Sequence, residues 1–549
     1  MTRTRWLGVV ASVVACGGDG GGGAPDAPRP DAPDPIDAAA TDAAVDAMAI
    51  DAPSTDAPMV SIPIAPQAYL KSASPGVDDE LGRAVALSTD GSTLAVGVWR
   101  EDGNGVGTSG DPTDDSREDS GAVFVFRRNG TTWSQEAYLK ASNPDPGDGF
   151  GFRVSLAGSG DVLAVSAPYE ASAATGVDGT QTDNSLPNAG AVYVFRRSGA
   201  TWAQEAYLKA SNPGNADVFG IGCGAELSAD GATLAVCAPG EDSSAVGIDG
   251  NQASEAANHS GAVYVFRRGA SAWAQEAYVK ATNTGAQDDF GVSAALSADG
   301  STLAVGAYSE DGSSSGIGGD QTSNGLSNSG AVYVYRRTGS TWAPEQYLKA
   351  TNADAGDAFG SGVALSASGE LLVVGAWEEA SGASGVNGDQ SSNAAMGSGA
   401  VYVYTRSGTT WSPDAYVKAA QPTGASGSFF GDQFGYSVAM ASDGTRFAVG
   451  AFAEASRATG MGGDQSDEGA PGAGAAFLFE RVNNTWAQGA YVKATNTQAH
   501  DVFGLCVALS GDGQTLAVGA PHEDSASGGI MANQADNAAS DAGAVYVYR

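Results

Sequence analysis

From Phe290 to Tyr308 the chain reads FGVSAALSADGSTLAVGAY, then passes through a long polar loop. It resumes as SGAVYVYRRTGSTW over residues 329–342 and EQYLKAT over 345–351. Four β-type runs lie in this stretch. The first (A) and second (B) flank Asp299-Gly300, a strong hairpin signal because both residue types tolerate positive φ. The third (C), GAVYVY, is rich in β-branched and aromatic residues, and a Thr-Gly turn leads from it to the fourth (D). No helical periodicity competes with this alternation.

The same unit recurs along the chain. Its Phe-Gly landmark falls at Phe150, Phe219, Phe290, Phe359, Phe434 and Phe503, with Leu81-Gly82 as a variant first copy, giving seven units near 70 residues apart. Seven repeats of four antiparallel strands predict an all-β fold, a seven-bladed β-propeller. Run D recurs at Tyr69, Tyr138, Tyr207, Tyr278, Tyr347, Tyr416 and Tyr491, yet the chain stops at the end of the last run C. QAYLKS at 67–72 therefore supplies the missing strand, and one blade is built from both ends of the chain. An open array has no need of that permutation.

The 549 residues carry 63 Asp and Glu against 27 Lys and Arg, a net charge of −36. Such a surface repels nucleic acid and anionic membranes, and nucleic acid is excluded as a partner on this ground. Residues 1–16, MTRTRWLGVVASVVAC, combine Arg3 and Arg5 with an apolar core too short to span a bilayer. The ending Val13-Val14-Ala15-Cys16 resembles the lipobox of bacterial lipoproteins. That resemblance implies a signal peptide over 1–15 and a diacylglycerol on Cys16. It further implies transfer across the inner membrane and anchorage at the outer membrane or cell surface. Residues 16–62 are rich in Gly, Asp, Ala and Pro and lack aromatics, the composition of a disordered tether. The propeller is expected over 63–549 as a monomeric head.

The Phe-Gly…Gly-Ala-Pro pattern, seen at Phe219-Gly220 with Ala238-Pro239 and at Phe503-Gly504 with Gly519-Ala520-Pro521, resembles the FG-GAP repeats of the integrin α-subunit propeller. It is similar also to bacterial FG-GAP repeat lipoproteins. Integrin blades hold calcium on an Asp-x-Asp-x-Asp-Gly loop between strands A and B. Here the equivalent segment, Ser297 to Thr302, has one carboxylate, too few for a cation that takes about six to eight oxygens. That site is not carried over. The resemblance implies binding or adhesion through an unknown protein or glycan ligand.

Antiparallel order puts the short A–B and C–D turns on one face and the long D–A and B–C loops on the other, where binding usually resides. On the long-loop face an Asp precedes each landmark by two residues: Asp79, Asp148, Asp217, Asp288, Asp357, Asp432 and Asp501. A Glu follows each strand B: Glu101, Glu170, Glu241, Glu310, Glu379, Glu454 and Glu523. A Gln recurs mid-loop at 181, 252, 321, 390, 465 and 534. Two readings of the carboxylates stand: loop-shaping acceptors for backbone N–H groups, or calcium ligands together with loop carbonyls. No other cofactor is indicated. The lysines of run D (Lys71, Lys140, Lys209, Lys280, Lys349, Lys418 and Lys493) are expected to blunt exposed outer edges. Arg-Arg pairs at 127–128, 196–197, 267–268 and 336–337 face Glu136, Glu205, Glu276 and Glu345 across a hairpin.

Three histidines, no zinc-spaced Cys/His cluster and no nucleophile elbow argue against an enzyme. His500-Asp501 and His522-Glu523 are nonetheless expected near each other on the long-loop face. A propeller hydrolase or lyase and a purely structural envelope protein are the competing readings. Cys223 and Cys237 flank the Asp230-Gly231 turn. The expected register sets Leu227 against Leu234 and Cys223 against Ala238, so a disulfide is open but not favoured by that register.

Overall fold

The computed structural model describes residues 62–108, 110–424 and 431–549. Cys16, the signal peptide and most of the tether lie outside the described residues. The described chain forms seven four-stranded antiparallel sheets, and no helix among these residues is long and apolar enough to cross a membrane. Blade 4 is representative: strand A is Ser293–Leu296, B Thr302–Ala307, C Ala331–Thr338 and D Thr341–Leu348. Sheet order is A-B-C-D in every blade. The seven A strands touch their neighbours in a closed ring, so strand A is innermost and strand D outermost.

Closure follows the sequence reading. Pro66–Leu70 pairs antiparallel with Ala544–Tyr548 and becomes strand D of blade 7. Reciprocal bonds between Ala65 and Arg549, both 2.9 Å, seal the seam. Ile62, assigned to the tether by composition, is buried in the core cluster between blades 6 and 7, so the folded head begins slightly earlier than expected.

The core is seven clusters, each shared by adjacent blades. In one, Val332, Val334 and Leu348 of blade 4 pack against Phe359, Val374 and Tyr402 of blade 5. A single twisted sheet cannot bury both of its apolar faces, so every blade needs a neighbour on each side. The landmark Phe fills this interface and packs edge-on against two aromatics of its own strand C. For Phe359 these are Tyr402 at 5.3 Å and Tyr404 at 6.3 Å. The glycine opening strand C lies against the next blade's landmark. A Cβ on Gly330 (φ +78°) would sit 2.1 Å from the Phe359 carbonyl oxygen.

Two local expectations need correction. The Asp-Gly connections are longer than two-residue turns: Ser228 N–H bonds the Thr233 carbonyl, and only Gly231 of the central pair has positive φ. Asp230 instead accepts from Ser228 Oγ and Ala232 N, closing the turn with its side chain. Register is unaffected, with Leu227 opposite Leu234. Cys223 and Cys237 are nevertheless disulfide-bonded, with Cα atoms 5.7 Å apart. The ladder ends at Ala225, and Gly224 (φ +75°) turns the chain away from the register that would set Cys223 opposite Ala238.

Strand D carries a bulge, and its chemistry covaries with strand C. Four blades oppose Phe with Gln there (Phe126/Gln135, Phe195/Gln204, Phe266/Gln275, Phe479/Gln488). The other three oppose Tyr with Pro (Tyr335/Pro344, Tyr404/Pro413, Tyr548/Pro66). Proline is tolerated because the bulge lies on an outer strand. The added hydroxyl finds a partner: Tyr335 donates to the Lys280 carbonyl, Tyr404 to Lys349 and Tyr548 to Lys493.

Deleting residues 66–72 should expose strand C of blade 7 and leave Glu523 without its lysine. Cooperative thermal unfolding should be lost, while deleting residues 20–58 should leave the melting temperature nearly unchanged. Equal calorimetric effects of the two deletions would rule out terminal closure.

Candidate functional site on the long-loop face

The recurrent Glu is where the blades are tied together. Glu310 Oε1 accepts from Tyr347 Oη and Asn283 Nδ2, each at 3.0 Å. Its Oε2 accepts from Lys349 Nζ at 2.8 Å and Gly312 N at 2.9 Å. Four donors satisfy the carboxylate. They come from strand D of the same blade, from its own loop, and from the D–A loop of the preceding blade. Asn283 is itself held by Tyr333 Oη at 2.6 Å and donates to the Gln321 carbonyl. The recurrent loop Gln is tied in too, since Thr282 Oγ1 donates to Gln321 Oε1.

This overturns the edge reading of the strand-D lysines. All seven are fully buried, and each pairs with a Glu: Lys71–Glu523, Lys140–Glu101, Lys209–Glu170, Lys280–Glu241, Lys349–Glu310, Lys418–Glu379 and Lys493–Glu454, at 2.6–2.9 Å. The lysine follows the last paired residue of strand D, so its side chain turns in beneath the B–C loop rather than along the edge. Burial pushes the ammonium pKa down, and the partner Glu counteracts it. Burial and the adjacent carboxylate push the Tyr347 hydroxyl far above its ordinary value, so it remains a donor. Asn143, Asn212, Asn283, Asn352 and Asn496 complete the network in five blades. Their regular place three residues after the strand-D lysine was the signal available in sequence.

The recurrent Asp residues are separate from that network. Each accepts a backbone N–H: Asp79 from Gly76, Asp148 from Asp145, Asp217 from Gly214, Asp288 from Gly285, Asp357 from Asp354, Asp432 from Thr423 and Asp501 from Gln498. All are buried. Burial, reinforced by the nearby Glu310 charge, pushes Asp288 up to about 7, and Asp79, Asp148, Asp217 and Asp357 behave alike. The surrounding D–A loop is stitched to the preceding blade. Gln287 N bonds Asn258 O, Asp289 N bonds His259 O and Phe290 N bonds Ser260 O.

Among the described residues no group of three or more His, Cys, Asp or Glu converges as a metal site. His259 lies 3.8 Å from Asp289, and His522 lies within electrostatic reach of Asp541. The Arg-Arg pairs do more than span their own hairpins. Arg196 meets Glu205 within blade 2 at 3.2 Å, while Arg197 reaches Glu136 of blade 1 at 2.6 Å. Arg268–Glu205, Arg337–Glu276 and Arg406–Glu345 repeat the inter-blade link. Two clefts of about 270 and 260 Å³ lie beside Pro344 and Pro413 on the outer flank.

Two predictions follow from the buried ionic network and the aspartates. Lys349→Ala should cost about 3–5 kcal/mol by stranding Glu310, and Lys349→Met combined with Glu310→Gln should cost clearly less; chemical denaturation measures both. Asp288 is raised above its unfolded value of about 3.9. Its stabilising protonation is therefore complete below about pH 4 and is lost as pH rises through about 7. Asp288→Asn should thus lose less melting temperature than the parent between pH 5 and pH 8. A difference that does not change with pH would refute the burial argument.

The FG-GAP repeat family matches residues 133–195, 342–404 and 486–548. Each match starts at a strand-D Trp and ends on strand C of the next blade, so it spans one inter-blade junction. A comparison with curated proteins finds no match. Among solved structures, the chain is similar to the Cps50 (Swd1) β-propeller domain of Myceliophteria thermophila at 9% identity, covering 88% of this chain and 99% of that one, with a TM-score of 0.45. It is similar to Kuenenia stuttgartiensis hydrazine synthase at 11% identity, 82% and 94% coverage and a TM-score of 0.42. A third similar structure is a putative 6-phosphogluconolactonase from Bacteroides uniformis, at 11% identity, 75% and 86% coverage and a TM-score of 0.41. The chain is a seven-bladed β-propeller that carries FG-GAP repeats.

Proposed function

We propose that this chain is an extracytoplasmic binding module, held to a bacterial membrane by lipid on Cys16, that presents the long-loop face of its propeller to a protein or glycan ligand. One observation carries the reading: every long loop emerges on one face of a scaffold whose blades are cross-linked at that same face. The cross-link is the Lys–Glu–Tyr–Asn network, which fixes the loop bases and leaves their outer residues free to differ between blades. Loops on a rigid frame lose little entropy on binding. The repeated carboxylates serve this architecture, so catalysis would have to rest on residues that differ from blade to blade.

Lipidation and binding are tested together. The Cys16→Ser chain should take up no labelled fatty acid and leave the membrane fraction. Labelled with a fluorophore, it should bind saturably to a glycan array or to intact envelopes, and shortening the blade-4 loop over residues 313–327 should weaken or re-specify that binding. Fatty acid on the variant would overturn the anchor, and turnover of array glycans would favour the enzyme reading. Absence of saturable binding would overturn the module.

A further inference from the structure

The sevenfold pattern breaks down around the central channel between blades 1 and 2. Arg83 and Arg153 occupy the positions just before strand A of these blades, Ala84–Leu87 and Val154–Leu156. Their guanidinium carbons lie 4.7 and 5.5 Å from the centroid of the same ring, Phe152. Arg83, Tyr436, Cys506 and Glu226 all lie within electrostatic reach of Arg153. Five blades contribute that set, and only the axis brings five blades together.

Both cations are short of partners. Arg83 approaches Glu80 only to 4.0 Å, and its Nε is buried without a hydrogen bond. Glu80 is occupied by Trp99 Nε1 at 2.8 Å and Arg100 Nη1 at 3.3 Å. Among the described residues Arg153 forms no ion pair, and its guanidinium donates from Nε to the Gly222 carbonyl at 3.1 Å. The fold is built around this side chain. A Cβ on Gly224 would lie 2.3 Å from Arg153 Cβ, and the Cys223–Cys237 disulfide pins the Gly222–Gly224 segment that holds it. Glu226 on blade 3 is pushed up to about 8 by burial, with the Arg153 charge opposing the shift.

Two under-partnered guanidiniums side by side attract an anion, and the partly buried setting of both strengthens their field. The neighbourhood adds a second requirement. Trp99, Phe152 and Tyr169 touch at centroid distances of 5.5–6.2 Å; Trp99 and Tyr169 are partly exposed, and Arg83 and Arg100 lie over the Trp99 ring at 5.6 and 5.2 Å. A ligand that uses both features has one carboxylate and a ring with an apolar face. The surrounding negative charge opposes a polyanion and selects a single acidic unit.

We infer that the channel between blades 1 and 2 binds the carboxylate of a uronic-acid-type sugar residue, held by Arg83 and Arg153 and stacked on the Trp99–Tyr169 surface. This rests on the binding-module reading and names its ligand class. Calorimetric titration of the full chain with D-glucuronate, D-glucose, benzoate and inorganic phosphate tests it. Glucuronate should bind, glucose should not, and Arg153→Gln should weaken glucuronate by about ten- to a hundredfold with circular dichroism unchanged. Tyr169→Ala should weaken glucuronate but not phosphate, which also covers the case that Arg153→Gln fails to fold. Glucuronate binding that is absent, or indifferent to both substitutions, overturns the site. Phosphate or benzoate binding as tightly as glucuronate overturns the sugar assignment. If the head still binds array glycans or envelopes while the channel is silent, only this inference fails.

Discussion

A buried carboxylate at the end of each strand B is the constraint on which this propeller depends. An ionised Glu in the interior is tolerated only when paired and fully hydrogen-bonded. Here the pairing lysine comes from strand D, two strands and roughly forty residues away, as in Glu310 with Lys349. The Asn that completes it comes from the preceding blade. Satisfying one side chain therefore fixes strand order, loop base and blade spacing together. Removing either partner strands a buried charge, so the two can be lost only together without a large penalty.

The apolar core makes the complementary demand. Each cluster is half one blade and half the next, so no blade is finished until the ring closes. That explains why the N-terminal strand is donated to blade 7: the seam is then held by backbone pairing and by Lys71–Glu523 as well as by packing. The outer Arg–Glu links repeat the logic at the rim with half-exposed groups, where each pair is worth less.

Against this repetition, differences between blades carry information. Strand D exchanges Gln for Pro when strand C exchanges Phe for Tyr, a local packing solution with no effect on the ring. The Arg83–Phe152–Arg153 group is of another kind. It places charge where the repeated architecture needs none, and the position of blade 3 that meets Arg153 is Gly224, where a side chain would clash.

The repeat landmarks, the Asp-Gly turns, the strand count and the two-ended blade were legible in sequence because they depend on period and local propensity. So was the register of Leu227 with Leu234. The sequence also located the recurrent Glu and Lys, but it placed the lysines on an open edge. Local order shows a lysine at the end of an outer strand; it cannot show that the strand's last side chain folds inward under a loop from the same blade. The Cys223–Cys237 bond was left open for a similar reason, since ladder arithmetic assumes a strand that Gly224 in fact ends. The channel cluster was invisible because Arg83, Phe152–Arg153 and Glu226 lie on three different blades, and the corresponding positions of the other blades carry other residue types. Only closure of seven inner strands into a ring brings them to one axis. Sequence by itself determined the repeated unit and how many copies there are; tertiary structure decided which charges are buried and which remain unpaired, because burial and pairing exist only between blades.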